Sequence, residues 1–84
     1  MDIMDEFKQI FETDLPEVKK IAKAFGLVTR WYLLESEKEI EVLRAMGDRE
    51  TLVKEQIKMS TLKHVRGIFD DCYRRATGRS AWDE

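Results

Sequence analysis

The chain has 84 residues, of which 43% are hydrophobic and 38% are charged, and its formal net charge is −2. This length allows one domain with a small core, and the apolar fraction is too high for a wholly disordered chain. The nearly balanced charge argues against a general polyanion binder. One cysteine excludes an internal disulfide, and neither a signal peptide nor a membrane-length apolar run is evident. We therefore expect a cytoplasmic protein with no membrane association.

The first predicted element is a short amphipathic helix over residues 3–12. Acidic side chains at Asp2, Asp5 and Glu6 suit the positive end of a helix dipole at its start. Its apolar residues recur at helical spacing, and they are Ile3, Met4, Phe7, Ile10 and Phe11.

The second predicted element is a long helix over residues 15–46. Asp14, Pro16 and Glu17 resemble a capping box with a proline in the first turn, and Gly47 supplies a stop signal. A glycine inside a helix costs about 1 kcal/mol relative to alanine, so Gly26 could mark a break. The apolar phase nevertheless continues across Gly26, which predicts one unbroken helix in which Gly26→Ala is neutral or stabilising. The predicted core face comprises Val18, Ile21, Ala22, Phe25, Val28, Tyr32, Ile40, Leu43 and Met46.

The third predicted helix covers residues 49–77 and is followed by a tail over 79–84. Asp48 is placed to cap its start, Arg74 and Arg75 suit its negative end, and Gly78 suits its C-terminal cap. Two long helices of similar length joined by a short loop predict an antiparallel hairpin. The expected fold is therefore one all-α domain over residues 1–84, a short N-terminal helix plus a long antiparallel helical hairpin.

Apolar residues are more numerous than a two-helix hairpin can bury. Leu27, Trp31 and Leu34 form a second strip on the long helix, away from its predicted core face. The third helix is apolar over nearly half its circumference in its C-terminal half. Leaving these strips in water would lose several kcal/mol of stabilising free energy from apolar burial. We therefore expect a homodimer that forms a helical bundle.

Candidate catalytic and metal-binding residues do not form a recognised pattern. His64 and Cys72 are eight residues apart, or about 12 Å along one helix, which is too far to share an ion. We expect Cys72 to be a small core residue. The many carboxylates have basic neighbours one helical turn away, as on a solvated helix face. No phosphate loop or nucleophile motif is present, so we expect no enzyme, metal, cofactor or small-molecule substrate.

One segment resembles the front of a helix-turn-helix. Ala22, Gly26 and Leu27 match the spacing of an alanine in the first helix, a glycine in the turn and the apolar residue after it. The resemblance departs from the family after Leu27, because Val28 replaces a polar residue and Glu35 replaces an apolar one. It implies DNA binding through residues 18–34, with phosphate contacts from basic side chains, namely Lys19, Lys20, Lys23 and Arg30.

The tail allows two interpretations. Trp82 could anchor a partner, because tryptophan is common in binding hot spots, or it could fold back onto its own bundle. Arg74, Arg75 and Arg79 form a basic cluster beside it that could meet an acidic surface.

The sequence therefore predicts a non-enzymatic protein–protein interaction module, an adaptor, inhibitor or small regulatory subunit acting as a helical homodimer. The predicted partner-binding residues are Leu27, Trp31, Leu34, Arg75, Arg79 and Trp82. The alternative is a small DNA-binding regulator or DNA-packaging accessory protein that uses the degenerate helix-turn-helix at residues 18–34.

Overall fold

The computed structural model describes residues 2–82, which form three α-helices and no strand. Helix α1 spans Ile3–Phe11, α2 spans Glu17–Met46 and α3 spans Arg49–Thr77. The all-α class and the three predicted elements are confirmed. Within residues 2–82, none of the helices combines the length and apolar character needed to cross a bilayer.

The helix ends follow the capping chemistry of the sequence at three of four sites around the long helices. Asp48 Oδ1 accepts a hydrogen bond from the Thr51 amide at 3.2 Å, which caps α3. Gly47 and Gly78 both adopt left-handed conformations, with φ of 73° and 77°, and end α2 and α3. The predicted capping box at Asp14 is wrong. Pro16 occupies the cap position of α2 and provides no side-chain hydrogen bond.

Helices α2 and α3 pack as an antiparallel hairpin along two heptad rows. Ser36 donates a hydrogen bond to Glu55 at 2.8 Å, and Phe25 stacks on Phe69, so residues early in α2 meet residues late in α3. Spacings of three and four residues alternate along each row, as in a coiled coil. The α2 row is Ala22, Gly26, Thr29, Leu33, Ser36, Ile40 and Leu43, and the α3 row is Leu52, Glu55, Met59, Leu62, Arg66, Phe69 and Tyr73.

The predicted core face of α2 is only partly correct. Ala22, Ile40 and Leu43 are buried, but six predicted members are not, and four of these are clearly exposed, namely Val18, Ile21, Tyr32 and Met46. The prediction followed the apolar residues and ignored Gly26, Thr29 and Ser36. These small residues face α3, where long polar side chains pair with α2: Glu55 accepts from Ser36, and Arg66 donates to Gly26 and Thr29.

Helix α1 contacts α2 on a side different from that used by α3. Ile3 and Glu6 of α1 line a cavity together with Leu27, Trp31 and Leu34 of α2. The Lys20 ammonium also donates to the Phe11 carbonyl at 3.3 Å, which joins the end of α1 to the start of α2. Helix α1 therefore covers part of the second strip. Trp31 and Leu34 remain exposed.

The chain is extended for its mass. Its radius of gyration is 15.4 Å, whereas a compact domain of this length has about 12 Å. Its accessible surface is 6410 Å², whereas a folded monomer of this mass exposes about 5,200 Å². The three helices thus leave more surface open than a self-contained domain does.

The contact between the two heptad rows, which we call the seam, can be tested with two residues that the apolar pattern places on one face. Leu43 is 4% exposed and Met46 is 70% exposed. We expect Leu43→Ala to cost about 2–4 kcal/mol of unfolding free energy, because it leaves a cavity in the seam. Met46→Ala should change it by less than about 0.5 kcal/mol. Urea denaturation of both variants measures the difference, and equal costs would contradict the heptad seam.

Candidate interaction surfaces

The tail folds back onto the hairpin and is held by Asp70. The Ala81 amide donates to Asp70 Oδ1 at 2.7 Å, and the Ser80 hydroxyl donates to the same oxygen at 3.0 Å. The other carboxylate oxygen lies 3.1 Å from Nε of Arg74. One α3 carboxylate therefore fixes the path of the chain after the helix ends.

Trp82 completes an aromatic clasp, which we define as Phe25, Phe69 and Trp82. The Phe25 and Phe69 rings stack at 4.5 Å between centroids, and the indole lies 5.6 Å from Phe69 and 6.2 Å from Phe25. All three rings are within 17° of parallel. The indole N–H donates to the Ala22 carbonyl at 2.8 Å. The structure therefore agrees with the fold-back interpretation of the tail.

Gly26 gives the indole access to the backbone of α2. A Cβ atom built on Gly26 would overlap the Trp82 ring, 2.8 Å from its Cδ1 atom. Helix α2 continues through this position, as predicted. The expectation that alanine is tolerated there considered helix propensity alone and omitted the tail, so the structure replaces it with the expectation of a clash with Trp82.

Arg66 links the clasp to the seam. Its guanidinium carbon lies 4.4 Å from the centroid of the Trp82 ring, in a cation–π arrangement. Its Nη1 donates to the Gly26 carbonyl at 2.9 Å and also to the Thr29 hydroxyl. The sequence analysis did not identify Arg66. The position of Arg66 in the heptad row of α3 is the sequence feature that could have indicated its contact with α2.

The resemblance to a helix-turn-helix does not extend to the structure. Residues 18–34 lie within one continuous helix, and Gly26 does not adopt a positive φ. The four basic residues assigned to that motif are also divided among different surroundings. Lys19 and Lys23 line a cavity beside the tail, Lys20 contacts the end of α1, and Arg30 lines the cavity between α1 and α2.

The predicted partner strip lies at a groove between α1 and α2. Leu27, Trp31 and Leu34 line a cavity of about 630 Å³ there, together with Asp2, Ile3, Glu6 and Arg30. The Trp31 ring meets Tyr32 edge to face at 5.2 Å. The structure thus brings these three residues together. Arg79 and Trp82 line a separate cavity at the tail, and Arg75 is exposed on α3.

A second apolar surface runs along the side of the hairpin. We call it the lateral face and define it as Ile21, Tyr32, Val65 and Ile68, all of which are exposed. Tyr32 and Thr61 line one cavity of about 370 Å³, so these positions of α2 and α3 lie on the same side. Val65 and Ile68 continue from Thr61 at helical spacing. The sequence analysis missed this face because it placed Ile21 and Tyr32 in the core.

Cys72 is exposed, so its predicted core position is wrong. It follows Ile68 by one helical turn, on the side that the hairpin leaves open. Among residues 2–82, no three His, Cys, Asp or Glu side chains are grouped closely enough to hold a metal ion.

No family model, curated protein or solved structure matches this chain.

The contact between Gly26 and Trp82 predicts opposite effects for two helical glycines. Gly26→Ala should lower the unfolding free energy by about 1 kcal/mol or more, because the methyl group overlaps the indole. A methyl group at Gly67 in α3 would meet no atom within 4 Å, so Gly67→Ala should stabilise by up to about 1 kcal/mol. Thermal melts followed by circular dichroism compare the two. Equal stabilisation by both variants would show that the indole does not occupy this position.

The hydrogen bonds to Asp70 predict a dependence of stability on pH. The Ala81 amide, the Ser80 hydroxyl and the Arg74 charge hold the pKa of Asp70 below its ordinary value of 3.8, despite partial desolvation. A lowered pKa stabilises the fold above pH 3.8, and this contribution disappears as pH falls through the lowered value.

Asp70→Asn should therefore lower the melting temperature at pH 7, with a deficit that closes as the solution is acidified below pH 3.8. Asp71→Asn is the matched control, because the adjacent Asp71 is exposed. Melts from pH 2 to pH 7 measure both, on the pH scale over which a carboxylate titrates. A deficit of Asp70→Asn that is independent of pH would contradict the role of the charge.

Proposed function

We propose that this protein is a non-enzymatic protein–protein interaction module that acts as a helical homodimer. The observation that carries the proposal is the pair of apolar surfaces that the hairpin leaves open, the lateral face and the groove between α1 and α2. Contiguous exposed apolar surface of this kind is typical of interaction sites. An adaptor, an inhibitor or a small regulatory subunit would use such a scaffold.

The size of the open surface supports self-association. The accessible area exceeds that of a compact monomer of the same mass by about 1,200 Å². A stable interface of standard size buries about 800 Å² on each partner. The surplus in total area is thus sufficient for one such interface.

We assign the lateral face to the homodimer. It is built from both long helices, so two copies related by a two-fold axis would bring four helices together in a bundle. Ile21 of α2 and Ile68 of α3 are each about half exposed in the single chain. Burying side chains of this size contributes about 1.5–3 kcal/mol each when it is complete. Four helices would also provide the core that one hairpin lacks.

We assign the groove between α1 and α2 to a different protein. Trp31 lines this groove together with Leu27 and Leu34, and tryptophan commonly contributes a large share of binding energy. The groove is bordered by charges of both signs, Asp2, Glu6 and Arg30. Such a border suits a partner helix with an apolar stripe and polar flanks. A reducing cytoplasm suits the exposed thiol of Cys72.

The homodimer is tested by comparing two side chains of equal exposure. Ile68 on the lateral face and Val42 on α2 are both 51% exposed. At micromolar concentration we expect the native chain to have twice its 10.0 kDa mass by light scattering. Ile68→Lys should give a monomer, because it would bury a charge in the interface, whereas Val42→Lys should remain a dimer.

A monomeric native chain would contradict the homodimer. Dissociation by both variants, or by neither, would contradict the assignment to the lateral face. Helical content measured by circular dichroism on each variant separates dissociation from unfolding.

A further inference from the structure

Three cations from distant parts of the sequence meet at one cavity beside the tail. Lys19 and Lys23 of α2 and Arg79 of the tail line a space of about 300 Å³, together with Tyr73, Ser80, Ala81 and Trp82. Among residues 2–82, the part of the chain that the structure describes, none of the residues lining this cavity is acidic. The sequence analysis placed the two lysines and the arginine in separate groups, one for nucleic acid and one for an acidic protein.

The three charges lack a direct ion pair within the described part of the chain, although Lys23 also lines a further cavity between α1 and α2 that contains Glu6. No carboxylate of residues 2–82 forms an ion pair with Lys19, Lys23 or Arg79. The nearby Asp70 carboxylate is already used, since it accepts from Ser80 and Ala81 and pairs with Arg74. Like charges gathered at one cavity repel each other, and a bound anion would relieve that repulsion.

The positions of the three cations are set by the fold. Lys19 and Lys23 are four residues apart on α2, so their side chains lie on the same face of the helix. Arg79 reaches them because the tail is fixed on both sides. The Arg79 amide donates a hydrogen bond to the Thr77 hydroxyl at 3.2 Å. Asp70 accepts hydrogen bonds from the next two residues, Ser80 and Ala81. The site is therefore assembled only when the tail is docked.

We propose that this cavity binds a phosphate monoester. A phosphate monoester carries a charge of about −1.5 to −2 at neutral pH and offers several acceptor oxygens. A guanidinium can donate two parallel hydrogen bonds to such a group, and two ammonium groups add point charges. The cavity volume leaves room for part of the group to which the phosphate is esterified.

Phosphate binding and tail docking are thermodynamically linked. The docked tail carries Arg79 to the lysines, so an anion that binds all three favours the docked state. By reciprocity, disturbing the clasp weakens the anion site. Trp82 belongs to the clasp and also lines the cavity, which makes its indole a reporter of binding.

The experiment uses the full chain with Trp31→Phe, which leaves Trp82 as the sole tryptophan of the sequence. Inorganic phosphate and phosphoserine are titrated at constant ionic strength while indole fluorescence is recorded. We expect a saturable change with both probes and none with acetate at equal ionic strength. A response to acetate as strong as that to phosphate would overturn the assignment to a phosphate group.

Matched variants locate the site. Arg79→Gln and Lys23→Gln should each weaken phosphate binding about tenfold, equivalent to about 1.4 kcal/mol. Arg75→Gln and Lys63→Gln remove exposed charges of α3 that do not line the cavity, and each should change affinity by less than about twofold. Equal losses from all four would indicate general charge attraction and overturn the site.

The two acidic residues that follow Trp82 provide a further test of the binding site. Asp83 and Glu84 lie outside the described residues, and their charges would compete with an anion if they came near the cavity. Phosphate should bind the double variant Asp83→Asn, Glu84→Gln at least as tightly as the unaltered tail. No saturable change in either form would overturn the proposal, as would tight binding of duplex DNA with no response to phosphoserine.

Discussion

The structure depends on how the side chains of α2 and α3 fit together along their seam. Gly26, Thr29 and Ser36 place small side chains where a coiled coil would normally hold large apolar ones. The opposing positions on α3 include Arg66 and Glu55, whose long side chains reach across to hydrogen-bond partners on α2. Small residues on one helix and long polar residues on the other fill the same space. The hairpin is therefore specified by paired hydrogen bonds as well as by apolar contact, and a shift in register would separate both polar pairs.

The same seam explains why the tail has a defined position. The missing side chain at Gly26 leaves room for the Trp82 indole, and the Gly26 carbonyl accepts from Arg66, which also lies beside that indole. Phe25 and Phe69 extend the stack on the apolar side. A glycine that lowers helix propensity is thus compensated by a contact from a residue 56 positions later in the chain. The placement of Arg79 beside the lysines of α2 follows from this docking, so the anion site depends on the seam as well.

Using small and polar residues in the seam leaves large apolar residues outside it. Ile21, Tyr32 and Ile68 occupy positions beside the seam, where one hairpin has nothing to cover them. Helix α1 is only nine residues long and covers a different part of α2. The extended shape and the surplus surface are consequences of this arrangement, and they are the physical basis for proposing self-association. The fold and the proposed assembly are therefore connected, because the large apolar residues outside the seam remain available for contact with a second chain.

The three helices could be predicted from the amino-acid sequence, as could the ends of the two long helices except the start of α2. Local signals are sufficient for this, since Asp48, Gly47 and Gly78 act on backbone groups within a few residues, and periodicity carries the phase across Gly26. The buried face of α2, in contrast, emerged only from the packed structure. Apolar periodicity ranks faces by hydrophobicity, whereas the contact with α3 uses small and polar residues that such a ranking omits. The candidate sites also required the folded chain, because the contact of Trp82 with Gly26 and the cavity shared by Lys19 and Arg79 involve residues far apart in the sequence. Their proximity depends on the antiparallel register and the tail path, which no local pattern encodes.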